Sequence, residues 1–212
     1  GGIGTHHGLA TAICAQEHGL DTVLCLLRQP VTAHVQRALL CDAAAGAEML
    51  YAPTMPRLVL RALRRYLQAA LRGQPPYVIP PGGTSVLGII GYVNATYELA
   101  KQIQRGDLPE PAHIFVPLGS GGIAAGLVLG LRMLGLQTRV HAVMVTDIFP
   151  PTATWLARLA RRTVQHLRAL APDIPLIPIT SNDFHCVQGY VGEAYGAPTP
   201  AAEAACIQTA QL

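Results

Sequence analysis

Short β-branched runs alternate with longer helical runs along this chain, a pattern that predicts a two-lobed α/β protein with parallel sheets and helices on both faces. Two turns sharpen the reading. A strand-like run, His113-Ile114-Phe115-Val116-Pro117, enters the glycine-rich turn Gly119-Ser120-Gly121-Gly122-Ile123-Ala124-Ala125-Gly126, and a helix-like run leaves it. A second small, polar turn, Gly1-Gly2-Ile3-Gly4-Thr5-His6-His7-Gly8, opens the chain. Half of the 212 residues are hydrophobic and only 13% are charged, so the chain can fill a sizeable core.

Taken in order, Thr5 to His18 reads as a helix closed by Gly19 in a left-handed cap. Asp21 to Leu27 reads as a buried strand. Thr32 N-caps a helix that runs to Ala45 and stops at Gly46. Glu48 to Tyr51 is a short strand. Met55 to Arg72 is a helix with Leu60, Leu63, Leu67 and Leu71 on one face. Tyr77 to Ile79 is expected as a strand, Pro80 to Thr84 as a tight loop, and the run from Thr84 or Ser85 to about Gln104 as a long helix. The glycine-rich turn then leads into a helix from Gly122 to Leu134. A strand from Thr138 to Val145, an amphipathic helix from Pro151 to Leu170 and a weak strand from Leu176 to Ile179 follow. Thr199 starts the last helix. The change of lobe is expected near Gly82-Gly83-Thr84, which gives a first lobe of 1–84 and a second of 85–212.

The net charge of +3 is small, and no aromatic interleaving accompanies the arginines. Arg57, Arg61, Arg64, Arg65 and Arg72 on one helix, and Arg158, Arg161, Arg162 and Arg168 on another, therefore read as solvated faces rather than a nucleic-acid surface. Five cysteines, odd in number and without CxxC spacing, argue against a disulfide framework and a zinc site. Cys14, Cys25 and Cys41 lie in apolar runs and are expected as small core residues. His34, His113, His141 and His166 show no partner by spacing. Residues 77–97 carry no charge over a length that spans a bilayer, but Pro80-Pro81-Gly82-Gly83 interrupts them. Lys101 is the only lysine. The chain starts inside a strand-to-helix turn and ends inside a helix-like run, so it is expected to be a piece lacking both ends.

The turn at Gly119 carries the chemistry. Glycines let backbone N–H groups approach an anion, and the helix start adds the positive end of its dipole. Ser120 adds a hydroxyl donor. The order strand, turn, helix fits a phosphate loop; a Walker loop is excluded, since no Gly-Lys-Ser/Thr follows. Gly119, Gly121 and Ala124 also satisfy a loose dinucleotide spacing, with Asp147 at the end of the next strand as a ribose-binding acid, so that reading stays open. In the opening turn Thr5 can be a plain N-cap with two exposed histidines, or Thr5 and His6 can face a cleft and hold an anionic ligand. Adjacent helical residues point apart, which disfavours a zinc pair at His6 and His7. Tyr190 and Tyr195 sit in a Gly/Pro-rich loop; each covers a core edge or brings a hydroxyl to a site as donor or proton relay.

Four segments together resemble one family. Gly1-Gly2-Ile3-Gly4-Thr5-His6-His7-Gly8 through Ala12, then Pro81-Gly82-Gly83-Thr84-Ser85-Val86-Leu87-Gly88 with Gly91-Tyr92-Val93, then Gly119 to Leu127, and Tyr195-Gly196-Ala197-Pro198 follow, in order, the motifs of the D-cysteine desulfhydrase and 1-aminocyclopropane-1-carboxylate deaminase group. These are pyridoxal-phosphate enzymes of the tryptophan-synthase-β fold type. The resemblance implies pyridoxal 5'-phosphate as cofactor, a small amino acid as substrate, and elimination or ring-opening deamination as the reaction. It implies that Gly119, Ser120, Gly121 and Gly122 bind the cofactor phosphate, with Ile123 where a threonine often adds a hydrogen bond. Thr5 takes the place of a serine near the substrate carboxylate, His6 that of an asparagine at the ring hydroxyl, and Tyr195 that of a tyrosine near the substrate. The family lysine that bonds the cofactor falls before Gly1, Lys101 does not replace it, and the residue facing the ring nitrogen falls beyond Leu212. A homodimer, a cytoplasmic location and no metal, nucleic-acid or membrane partner complete the expectation. A non-catalytic binder of the same fold and a nicotinamide-dependent oxidoreductase remain the alternatives.

Overall fold

A computed structural model describes residues 1–146, 150–193 and 195–211. Backbone contacts divide the chain into two units, Gly1–Gly82 with Gly196–Leu212, and Gly83–Tyr195. The break thus falls at Gly82, and the last helix joins the first unit, where the sequence reading kept it with the second. Within the first unit Gly196 comes against the Gln29 side chain: a Cβ on that glycine would stand 3.3 Å from Nε2.

In the first unit, helix α1 (His6–Glu17) leads to strand β1 (Val23–Leu27), helix α2 (Ala33–Ala44), strand β2 (Glu48–Ala52) and helix α3 (Met55–Leu71). β1 and β2 pair in parallel from Val23↔Glu48 to Leu27↔Ala52, and Gly2 adds a parallel bridge to Leu27. Local chemistry sets the ends. Thr32 Oγ1 accepts from Val35 N at 3.3 Å, and Gly46 sits at φ +71°, a conformation glycine adopts without strain. Ile3, Ala12, Leu24, Leu26, Val35, Ala45 and Ala47 form the core, with Leu39 against it. Cys14 and Cys41 are exposed and Cys25 half-buried, against the expectation of three core thiols; the first two lie on helix faces turned from this cluster.

In the second unit, helix α4 (Ile90–Arg105), strand β3 (His113–Leu118), helix α5 (Gly122–Leu134), strand β4 (Arg139–Met144), helix α6 (Ala153–Leu170) and strand β5 (His185–Val187) follow one another. The sheet order is β3-β4-β5, all parallel. Helix α7 (Pro200–Thr209), capped by Thr199, belongs to the first unit. The core of the second unit gathers Leu118, Leu129, Val140, Ala142, Leu156, Val164 and Ile179. Helices α4 and α5 approach closely because α5 is glycine-bearing on that side. A Cβ on Gly126 would fall 2.6 Å from the Ile89 carbonyl oxygen, and one on Gly130 would fall 1.9 Å from Thr96 Oγ1.

Several expectations are corrected. Residues 77–79 form no strand, and Pro81–Gly83 is instead a 3₁₀ turn. The helix after it begins at Ile90, because Ser85 and Gly88 are spent in a turn closed by Gly88 N to Ser85 Oγ at 3.0 Å. Residues 176–179 are not a strand; β5 takes the place beside β4. Arg161 and Arg168 are not merely solvated: Arg161 Nη1 donates to the Ile179 carbonyl at 3.0 Å, and Arg168 Nε to that of Ile174 at 3.1 Å. The leucine face of α3 points to solvent.

Candidate functional site

The glycine-rich turn joins β3 to α5. Gly121 stands at φ +86° as the N-cap of α5, and no side chain caps that helix. The first amides of a helix have no intrahelical acceptor. Here Gly121 and Gly122 are buried and the first turn carries no acidic residue. Donors of this kind need an anion or an acceptor from outside the helix.

The surroundings fix the turn's shape. A Cβ on Gly121 would fall 2.5 Å from Leu156 Cδ2, and one on Gly122 would fall 2.8 Å from Thr84 Oγ1. A Cβ on Gly119 meets no described atom within 4 Å, which leaves room on that side. Thr84 Oγ1 donates to Ser120 Oγ at 2.7 Å. With one lone pair so engaged, the Ser120 hydroxyl is turned to donate its own proton elsewhere. The turn fits a phosphate group: uncapped buried amides, a hydroxyl oriented by a second hydroxyl, open space and no competing carboxylate.

The opening turn lies in the first unit. Thr5 is the N-cap of α1, and its Oγ1 accepts from Gly8 N at 3.2 Å. Gly4 N donates to Gln29 Oε1 at 3.2 Å. His6 is exposed and stacks on His34 of α2, ring centroids 4.7 Å apart and 24° from parallel. Tyr195 is the last residue of the second unit and is exposed. So Gly119, Ser120, Gly121, Gly122 and Ile123 are brought together with Thr84, and Thr5 and His6 with Gln29 and His34. Asp147, the acid of the dinucleotide reading, lies outside the described residues. Lys101 is exposed on α4.

The sequence reading missed several contributors. Thr84 stood within a quoted motif, but its bond to Ser120, 36 positions away, has no local signal. Gln29 has none either. His113, His141 and His185 form a row across β3, β4 and β5: His141 Nε2 is 2.9 Å from His113 Nδ1, and His185 Nδ1 is 2.7 Å from His141 Nδ1. Desolvation, then the neighbouring imidazoles and Arg139, hold the His141 ring below its ordinary range. The parallel register alone pairs His141 with His185, and only a known strand order would reveal it. Among the described residues no group of histidine, cysteine and carboxylate side chains has the geometry of a metal site.

These features define an α/β protein with a glycine-rich turn, uncapped and free of acidic side chains, at a helix start. The sequence profile of the pyridoxal-phosphate dependent enzymes matches residues 5–212, and the chain belongs to that family. It is 30% identical over 208 residues to the D-cysteine desulfhydrase of Salmonella schwarzengrund (strain CVM19633), covering 95% of this chain and 59% of that protein. It is 35% identical over 153 residues to the D-cysteine desulfhydrase of Serratia proteamaculans (strain 568), covering 69% of this chain and 45% of that protein. A crystal structure of an ACC deaminase homologue superposes with a TM-score of 0.71 at 26% identity, over 94% of this chain and 57% of that one. The chain spans about half the length of the curated relatives it matches. Membership of this family does not favour the nicotinamide reading.

Proposed function

We propose that the protein to which this chain belongs uses pyridoxal phosphate to eliminate or deaminate a small amino acid. D-Cysteine desulfhydration and opening of the 1-aminocyclopropane-1-carboxylate ring are the two candidate reactions. The observation that carries the proposal is the uncapped, acid-free start of α5 with Ser120 held by Thr84. The amides at Gly121 and Gly122 and the Ser120 hydroxyl hold the phosphate, and Thr84 fixes the direction in which Ser120 donates. When bound, the cofactor supplies an electron sink for negative charge at the substrate α-carbon.

The remaining roles belong to this chain's own side chains. Thr5 Oγ1 already accepts from Gly8 N, so its hydroxyl proton is free to bond the substrate carboxylate. His6, steadied by His34, orients the cofactor ring through its hydroxyl. Tyr195 Oη receives or returns a proton at the substrate. The protein acts as a homodimer in the cytoplasm, on a small amino acid.

Ammonia release from D-cysteine and from 1-aminocyclopropane-1-carboxylate tests the reading in the cofactor-loaded protein. Release from one of them, abolished by Ser120→Asp through like-charge repulsion at the phosphate, is the expected result. Cofactor binding without ammonia from either substrate would favour a non-catalytic binder. Unchanged cofactor affinity in Ser120→Asp would remove the loop assignment.

A further inference from the structure

Helix α3 carries its apolar stripe on the wrong side for a core helix. At about 100° per residue, Leu58, Ala62 and Ala69 share one face. That is the packed face: Leu58 is buried, and Ala62 and Ala69 are half-buried. Leu60, Leu63, Leu67 and Leu71 fall on the opposite side of the same helix. Their exposures are 68%, 52%, 50% and 88%. Val59 and Tyr66 extend the stripe and are also exposed. Four leucines in one outward sector are not the scattered apolar residues of an ordinary surface.

The charge beside the stripe says what covers it. The sequence from Met55 to Leu71 holds no aspartate or glutamate, and neither does Arg72 beyond it. Arg57 and Arg64 flank the leucines, and Arg72 follows at the helix end. None of the three makes an ion pair among the described residues. Arg61 is bonded to the Tyr51 carbonyl, and Arg65 Nε pairs with Glu48 at 2.9 Å, so these two steady the helix rather than face outward. A second copy of the helix would cover the leucines but would bring no carboxylate to the free arginines. An anionic lipid surface supplies both partners at once: acyl chains for the leucines and headgroup phosphates for the guanidinium groups.

We infer that α3 is a peripheral membrane-binding face that adsorbs on anionic bilayers, with Leu60, Leu63, Leu67 and Leu71 in the acyl boundary and Arg57 and Arg64 at the headgroups. Adsorption differs from spanning: no described helix is long and apolar enough to cross a membrane. The inference does not depend on the catalytic proposal, since it uses none of the residues of the phosphate turn.

Vesicle co-sedimentation of the 212-residue chain tests it. With vesicles of phosphatidylcholine and phosphatidylglycerol the chain pellets; with phosphatidylcholine alone it stays in the supernatant. Arg57→Gln with Arg64→Gln weakens partition about thirtyfold, at about a tenfold loss per 1.4 kcal/mol and about 1 kcal/mol per arginine. Leu60→Gln with Leu63→Gln and Leu67→Gln abolishes it. Should the triple variant misfold, Leu63→Trp combined with Trp155→Phe reports the same contact from a single indole. Its emission shifts blue on anionic vesicles and is quenched by brominated lipid. No pelleting with anionic vesicles, together with an unshifted emission from that introduced indole, overturns the inference. So does self-association in sedimentation velocity that the leucine substitutions remove, which would assign the stripe to a second copy.

Discussion

At the scale of single residues, two polar choices differ in kind. Thr84 and Ser120 satisfy each other at 2.7 Å and leave a donor directed outward. Asp42, fully buried in α2, has no hydrogen-bond partner on either carboxylate oxygen among the described residues. Burial pushes its carboxyl above the ordinary 3.8. The folded state therefore holds the Asp42 proton to higher pH than the unfolded chain does. This contribution is fully present below pH 3.8 and is lost as pH rises through the folded-state value. Asp42→Asn keeps the shape and removes the ionisation. We expect this variant to be more stable than the parent at pH 7 by about 1 kcal/mol or more, because an unpartnered neutral amide costs less to bury than an unpartnered carboxylate. The advantage should shrink toward zero as the pH is lowered to the ordinary carboxyl value of 3.8. Urea melts at the two pH values measure it, and an equal difference at both would mean the carboxylate finds a partner in solution.

At the scale of elements, the seam between α4 and α5 shows how closely two helices can approach when one lacks side chains there. Gly130→Ala places a methyl 1.9 Å from Thr96 Oγ1. It should cost about 1–3 kcal/mol by overpacking, less the gain of about 1 kcal/mol that alanine brings to a helix interior. Among the described residues Thr96 Oγ1 bonds its own helix, donating to the Val93 carbonyl at 2.6 Å. Thr96→Ala should therefore restore most of the loss, and a double-mutant cycle by thermal melts would show favourable coupling. No coupling would place the strain elsewhere. Elements with such local signals were legible in the sequence. Helix α2 announced itself by Thr32 and Gly46, and α5 by the turn before it. What failed were segments decided by distant partners. Residues 77–79 look like a strand, but prolines on both sides withhold donors and no strand lies alongside. β5, His185 to Val187, is too short for any periodicity to mark it and exists because the edge of β4 receives it. The leucine periodicity of α3 was read correctly as a stripe, but periodicity does not say whether a stripe faces a core. The glycine-rich turn was legible because its glycines are local; the bond from Thr84 to Ser120 was not.

At the scale of the whole molecule, the question is what a chain about half as long as its relatives can do by itself. The covalent chemistry of the family needs a lysine, and Lys101 is the only one here, exposed on α4. A phosphate grip at Gly119–Gly122 needs no lysine, so it can be separated from that chemistry. A ligand that binds only the folded chain adds about 2.7 kcal/mol of stability at a hundredfold excess over its Kd. For a chain of this length, each 1 kcal/mol raises Tm by about 2–4 °C. Pyridoxal phosphate at that excess should thus raise Tm by about 5–10 °C. Pyridoxal has the same ring without the phosphate and should raise it by less than about 1 °C, because the α5 amides and Ser120 then have nothing to hold. Lys101→Arg should leave the shift intact, and Ser120→Asp should remove it. Equal shifts with the two ligands would mean that the ring, not the phosphate, is what this chain recognises. Loss of the shift in Lys101→Arg would mean that the aldehyde reacts with the Lys101 amine. Either result would detach the start of α5 from the cofactor.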